Sequence, residues 1–254
     1  MDSTTLQTLF IALAVGVASG SIGSFIILKR MALVGDALSH VALPGIALAL
    51  AYHADPFFGV LIFLLLAAVL IWFLEGKTKL PTDAIVGLLF TASLAVGILT
   101  IPDTEILESL FGTFPIFQPF VFFLVLGAAL LLSIASFLFA RRFLFAIVSP
   151  ELSRVEGGGR RFDLFLLLIF SFVVALGIKL AGTLLMGALT IIPAATAKNI
   201  SLSTKGYMFW SAFLGGAVSV VGAFLALRLG LLPGPTIILL GVGFFLVSLF
   251  FARK

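Results

Sequence analysis

From Phe57 to Leu74 the chain runs eighteen residues without a charge, and from Leu61 to Leu70 it is apolar on every side. As a helix rising about 1.5 Å per residue, such a run reaches about 27 Å, close to the ~30 Å hydrocarbon core of a bilayer. In lipid every backbone polar group must be satisfied internally, which leaves helices and closed barrels. A barrel strand alternates apolar and polar positions, and this run does not alternate. A water-soluble fold is excluded as well. Hydrophobic residues make up 62% of the 254 and charged residues only 10%, against about 25% charged in soluble domains.

Nine apolar segments can be counted, at roughly 6–28, 31–52, 57–74, 84–101, 119–140, 163–178, 180–197, 207–227 and 235–252. The seventh is short enough to be a partial span packed inside protein, so eight or nine transmembrane helices are expected. The fold class is an all-α polytopic integral membrane protein. The first segment has no basic residue before Lys29, unlike a signal peptide with its basic n-region, and reads as a retained span. No soluble domain, repeat or low-complexity tract stands out, so residues 1–254 are expected to form a single membrane domain.

The net charge of +4 lies in the connections and signals orientation in a bilayer rather than nucleic acid. Thirteen Lys and Arg fall in alternate connections or at the C-terminus: Lys29, Arg30, Lys77, Lys79, Arg141, Arg142, Arg154, Arg160, Arg161, Lys198, Lys205, Arg253 and Lys254. The other connections hold two, Lys179 and Arg228. Basic loops stay in the cytoplasm, which predicts a cytoplasmic C-terminus in the inner membrane. The outer connection 102–118 holds Asp103, Glu105 and Glu108 and no basic residue. There is no cysteine, hence no disulfide or thiolate site.

Asp36 and His40 stand four apart in the second segment and share a helix face. His40 lies roughly 13 Å along that helix, near mid-membrane, where an ionisable residue marks a pathway or a partner. Carboxylate plus imidazole suits zinc, manganese or iron. Pro44 has no N–H, so it frees the carbonyl of His40, and Gly45 keeps the surroundings small. Pro193 frees the carbonyl of Leu189 in the seventh segment. Pro44, Gly45 and Pro193 are the expected kink and gate positions. Two protein ligands are few for a metal, but two copies about a two-fold axis supply four, and a conduit needs binding weak enough to release. An Asp–His hydrogen bond that only packs helices stays open as an alternative. His53 and Asp55 lie at the outer mouth of the second segment, where an arriving metal or plain interfacial packing accounts for them.

Ser149-Pro150-Glu151-Leu152-Ser153-Arg154 is a helix-start signal and Gly157-Gly158-Gly159 a stop. A short cytoplasmic docking helix and a solvated basic loop both fit. Gly76-Lys77-Thr78 looks like the tail of a phosphate-binding loop, but Ile71 stands where that loop needs glycine. Energy from ATP would have to come from another chain. Neither H-E-x-x-H nor G-x-S-x-G occurs, so a membrane enzyme has no support. A secondary carrier driven by protons, with Asp36 as the proton site, remains a rival.

Three stretches resemble the membrane permease of the zinc/manganese/iron class of ABC importers. They are GSFIILKRMALVGDALSHVALPG (Gly23 to Gly45), SPELSRVEG (Ser149 to Gly157) and GTLLMGALTIIPAATA (Gly182 to Ala197). The resemblance implies an ABC importer permease fold and a homodimer. It implies cytoplasmic ATPase subunits, an extracytoplasmic metal-binding protein as feeder, and a transported divalent metal ion with no permanently bound cofactor. It places Asp36 and His40 in the pathway and a coupling helix at Ser149, Pro150, Glu151, Leu152, Ser153, Arg154 and Gly157. The outer loop departs from the family pattern, since Leu110-Phe111-Gly112 continues as Thr113-Phe114-Pro115. Direct ligation by a neutral His40 predicts that uptake falls at acid pH.

Overall fold

The structure, a computed structural model, describes residues 3–78, 80–100, 109–114, 118–155 and 159–252. Asp103, Glu105, Glu108 and Gly157 therefore lie outside the described residues. Among the described residues the regular structure is entirely helical. The helices are α1 (Ser3–Leu28), α2 (Ala32–Ala51), α3 (Pro56–Lys77), α4 (Thr82–Thr100), α5 (Pro119–Leu138), α6 (Ala140–Val148), α7 (Pro150–Val155), α8 (Gly159–Ala181), α9 (Met186–Ile200), α10 (Thr204–Leu229) and α11 (Pro233–Ser248), with a 3₁₀ turn at Leu249–Phe251.

Helix starts follow local chemistry. Pro56, Pro119 and Pro233 each open a helix, where a missing N–H costs nothing. Asp55 caps α3 by accepting from the Phe57 amide at 2.8 Å. Ser203 caps α10 by accepting from the Gly206 amide at 3.1 Å.

Among the described residues, eight helices are long and apolar enough to cross a membrane. The apolar segment 180–197 does not form one of them. It breaks over residues 182–185, and α9 has only 15 residues, about 22 Å of rise. Gly182 causes the break by adopting φ +81°, a left-handed conformation that ends a helix. Irregular backbone at membrane depth persists only where protein covers and pairs it. Here residues 109–113 do so: the Thr183 amide donates to the Ser109 carbonyl at 2.8 Å, Leu184 to Leu110 at 3.1 Å, and Thr113 to Lys179 at 3.0 Å. α9 is thus the short, protein-packed pass that its segment length left open, and it returns the chain to the end where α8 began.

The connection 141–162 holds more order than its composition suggests. α6 is amphipathic: Arg141 and Arg142 are exposed while Phe143 is buried. The Phe143 ring lies edge-on to Phe25 at 5.3 Å, fixing α6 beneath α1. The six-residue α7 follows directly.

α1 and α10 share an extensive interface. Side chains are small where they meet, since a methyl on Gly16 would enter the carbonyl of Gly215 and one on Gly20 that of Ser211. The Ser211 hydroxyl donates to the Gly20 carbonyl at 2.6 Å. Small residues let backbones approach in lipid, where dispersion and hydrogen bonds replace the hydrophobic drive. Against this pair lies α9, α2 packs on α9, and α2 is flanked in turn by α3 and α4.

Candidate metal pathway

α2 is the most enclosed of the spans, and it carries Asp36 and His40. His40 is 5% exposed, and its rise of about 12 Å from the start of α2 sets it near mid-membrane. Its ring packs edge-on against Phe90 of α4, centroids 4.8 Å apart. Its Nδ1 is buried without a hydrogen-bond partner. A buried unpaired nitrogen costs about 1–3 kcal/mol, and among the described residues the buried hydroxyls of Ser19, Thr183 and Ser219 share this condition. Asp36, one turn earlier, stays exposed on the outer face of this single chain.

Gly187 of α9 makes the space for Asp36. A methyl on Gly187 would stand 2.5 Å from the Asp36 carboxylate oxygen and 2.9 Å from the Asp36 amide. Sequence reasoning did not single out Gly187 or Phe90. The only sequence signal for the glycine is its recurrence five residues after Gly182 in the third motif.

Pro44 sits inside α2 without ending it. Gly45, beside it, meets Gly59 of α3 at backbone contact. Pro193 lies inside α9, buried. Asp55 is committed to its helix cap, while His53 is exposed with φ +54°. At that end a cavity of about 170 Å³ opens between α2, α3 and α8, lined by Ile46, Leu50, Asp55, Ser109, Thr113 and Lys179 among others. Leu43 and Ala47 of α2 pack against Leu94 and Leu110 beside it.

Among the described residues no group of three His, Cys, Asp or Glu converges to hold a metal. Asp36 and His40 thus stand as one carboxylate and one imidazole rather than a closed site. At the opposite, basic end, α7 projects Leu152, 60% exposed, while Ser153 turns inward at 1%.

Membrane-crossing helices pack around α2, whose His40 is buried and whose Asp36 is exposed, an all-α architecture that suits a membrane transport component. The ABC 3 transport family model matches residues 1–252. Manganese import system permease protein ScaB of Streptococcus gordonii is 34% identical over 98% of this chain and 91% of that protein. High-affinity zinc uptake system membrane protein ZnuB of Haemophilus influenzae is 28% identical over 96% of this chain and 97% of that protein. The solved structure of PsaBC from Streptococcus pneumoniae in complex with Fab superposes with a TM-score of 0.87 at 32% identity, covering 100% of this chain and 94% of that one. The chain belongs to the ABC 3 transport family, the permease class that its three motifs resemble. It is a multi-pass membrane protein and a transport component.

Proposed function

We propose that this chain is the membrane-spanning subunit of an ATP-binding-cassette importer that moves a divalent transition metal ion into the cytoplasm. The observation that carries the reading is His40: a buried imidazole at mid-membrane whose Nδ1 has no partner, one turn from an exposed carboxylate on the same helix. Two such ligands hold a metal weakly. Two chains about a two-fold axis bring four ligands to one point, and the exposed face at Asp36 is where a second copy contributes its own. A conduit of this kind binds well enough to admit the ion and loosely enough to release it.

Relatives named for manganese import and for zinc uptake support those two metals as cargo, and the same ligand pair accepts iron. The basic end, which includes Arg141, Arg142, Arg160, Arg161, Lys198 and Lys205, faces the cytoplasm by the positive-inside rule. This puts the cavity near Asp55 on the outside, where a metal-binding protein delivers the ion. α7, with Leu152 standing out and Ser153 turned in, supplies the surface on which a separate ATPase subunit docks. Pro44, Gly45 and Pro193 are the places where α2 and α9 bend as access alternates. Residues 1–254 act as one permease domain.

The test is ATP-driven uptake of manganese and zinc, in competition, by the complex reconstituted in vesicles. Uptake should require the ATPase partner and fall in Asp36→Ala and His40→Ala. Uptake by the lone chain on a pH gradient without ATP would instead establish a proton-coupled carrier.

A further inference from the structure

α8 begins at Gly159, immediately after the docking segment, and its first turn is fastened to two other helices. Arg160 and Trp72 of α3 exchange hydrogen bonds: the indole Nε1 donates to the Arg160 carbonyl at 2.8 Å, and the Arg160 Nη2 donates to the Trp72 carbonyl at 3.0 Å. The guanidinium also lies over the Trp72 ring, 4.8 Å from its centroid, a cation–π geometry. Gly76, one turn beyond Trp72, forms the bed for this arrangement, since a methyl there would run into the guanidinium. One residue-turn later Asp163 pairs with Lys29 at the end of α1.

α3 links this fastening to the metal pair. Thirteen residues before Trp72, about 20 Å along the helix, Gly59 touches Gly45 of α2 backbone to backbone. Gly45 adjoins Pro44, the position that weakens α2 one turn beyond His40. Along its length α3 is also tied to α8, where the Ser171 hydroxyl donates to the Leu64 carbonyl at 3.2 Å. A rigid helix held at both ends transmits displacement, because packed interfaces shift between discrete arrangements rather than deform.

We infer that Arg160, Trp72 and Gly76 form the joint through which movement of the docking helix reaches α3 and, through Gly59 and Gly45, the Asp36–His40 turn of α2. These are positioning residues, and the inference rests on the reading of α7 as the ATPase docking surface. A surface staple with no transmitting role would contribute stability alone. The joint instead sets how much metal moves per ATP.

The experiment uses the full complex in proteoliposomes, with manganese and then zinc as the probe, measuring uptake and ATP hydrolysis together. In Arg160→Ala, hydrolysis should persist while metal moved per ATP falls about tenfold, the scale of an allosteric coupling energy. Gly76→Val, which displaces the guanidinium without removing it, should do the same and keeps the test open if Arg160→Ala assembles poorly. Trp72→Phe should lose less, because the ring remains. Combined with Arg160→Ala it should add nothing, as expected of two residues in one joint. Uptake and hydrolysis that fall in proportion, or losses that add, overturn the joint. Leu152→Asp separates the two ideas. Loss of the co-purifying ATPase upholds docking at α7, so a proportional loss in Arg160→Ala then counts against the joint alone. Retained co-purification overturns docking there and the joint with it.

Discussion

Gly45 of α2 and Gly59 of α3 meet so closely that a methyl on Gly45 would stand 2.5 Å from the Gly59 carbonyl oxygen, and one on Gly59 would enter the Gly45 carbonyl. The atoms met are backbone and the Cβ of Ala49, so no side-chain rotation relieves the contact. The turn of α2 that holds Pro44 is seated on α3 through this pair. Gly45→Ala or Gly59→Ala is expected to push the helices apart at a cost of about 1–3 kcal/mol, the usual scale of overpacking. Thermal unfolding in detergent should show both variants less stable than Gly87→Ala, which adds its methyl into open space.

The carboxylate of Asp36 depends on the absence of a side chain at Gly187. Gly187→Ala places a methyl against both the carboxylate and the backbone of Asp36. Groups that position a metal ligand typically matter by about 10–100-fold in affinity or activity. The metal concentration giving half-maximal uptake should therefore rise by about tenfold in Gly187→Ala. Asp36→Asn, which removes charge and adds no bulk, should lose uptake without the packing penalty. If Gly187→Ala transported with unaltered concentration dependence, Asp36 would not be a ligand in its present position.

On the proposed reading of His40 as a ligand, protons and metal compete for its imidazole, because only the neutral ring ligates. Uptake of manganese or zinc should decline as the medium is taken from pH 8 to pH 5. The sign follows from the competition: acid adds a proton where the metal must bind. ATP hydrolysis by the same complex, measured in parallel, serves as the control for loss of the ATPase itself. A flat uptake profile over that interval would count against direct ligation.

The spans were legible because lipid imposes a length and a polarity on each, and a run such as Phe57 to Leu74 satisfies both without help from its neighbours. The Asp36–His40 pair was legible for the converse reason: ionisable residues inside such a run need a reason to be there. What escaped depends on distant residues. α6 hides in a basic connection, since its buried side chains are only Phe143 and Ala146, whose burial gains meaning from Phe25 and Phe165. The role of Gly187 exists only once α9 lies against α2. The fastening of Arg160 to Trp72 joins residues 88 apart, and no local pattern announces it. The short helix α7 stood between these cases. Its start signal was readable at Ser149 and Pro150, while the outward Leu152 and inward Ser153 emerged only from packing.

Gly182 and Gly112 interlock at the end of the bundle opposite the basic connections. Both have positive φ, +81° and +74°, where a side chain is strained by about 1–3 kcal/mol. Each also occupies the space the other would need: a methyl on Gly182 would meet the Leu110 carbonyl and the Gly112 amide, and one on Gly112 would meet the Leu180 carbonyl and the Gly182 amide. Gly234 of α11 presses on the same place, against the carbonyls of Ala181 and Phe111. The pairing of residues 109–113 with 179–184 supplies the hydrogen bonds that the broken helix gives up. A change here therefore exposes backbone groups to a medium that cannot satisfy them. Gly182→Ala should lower the unfolding temperature and reduce uptake together, and Gly112→Ala should do the same. Because the two glycines share one contact, the double variant should cost less than the sum of the singles. Additive losses in thermal unfolding would mean that the two turns fold independently and that the interlock does not hold that end of the bundle.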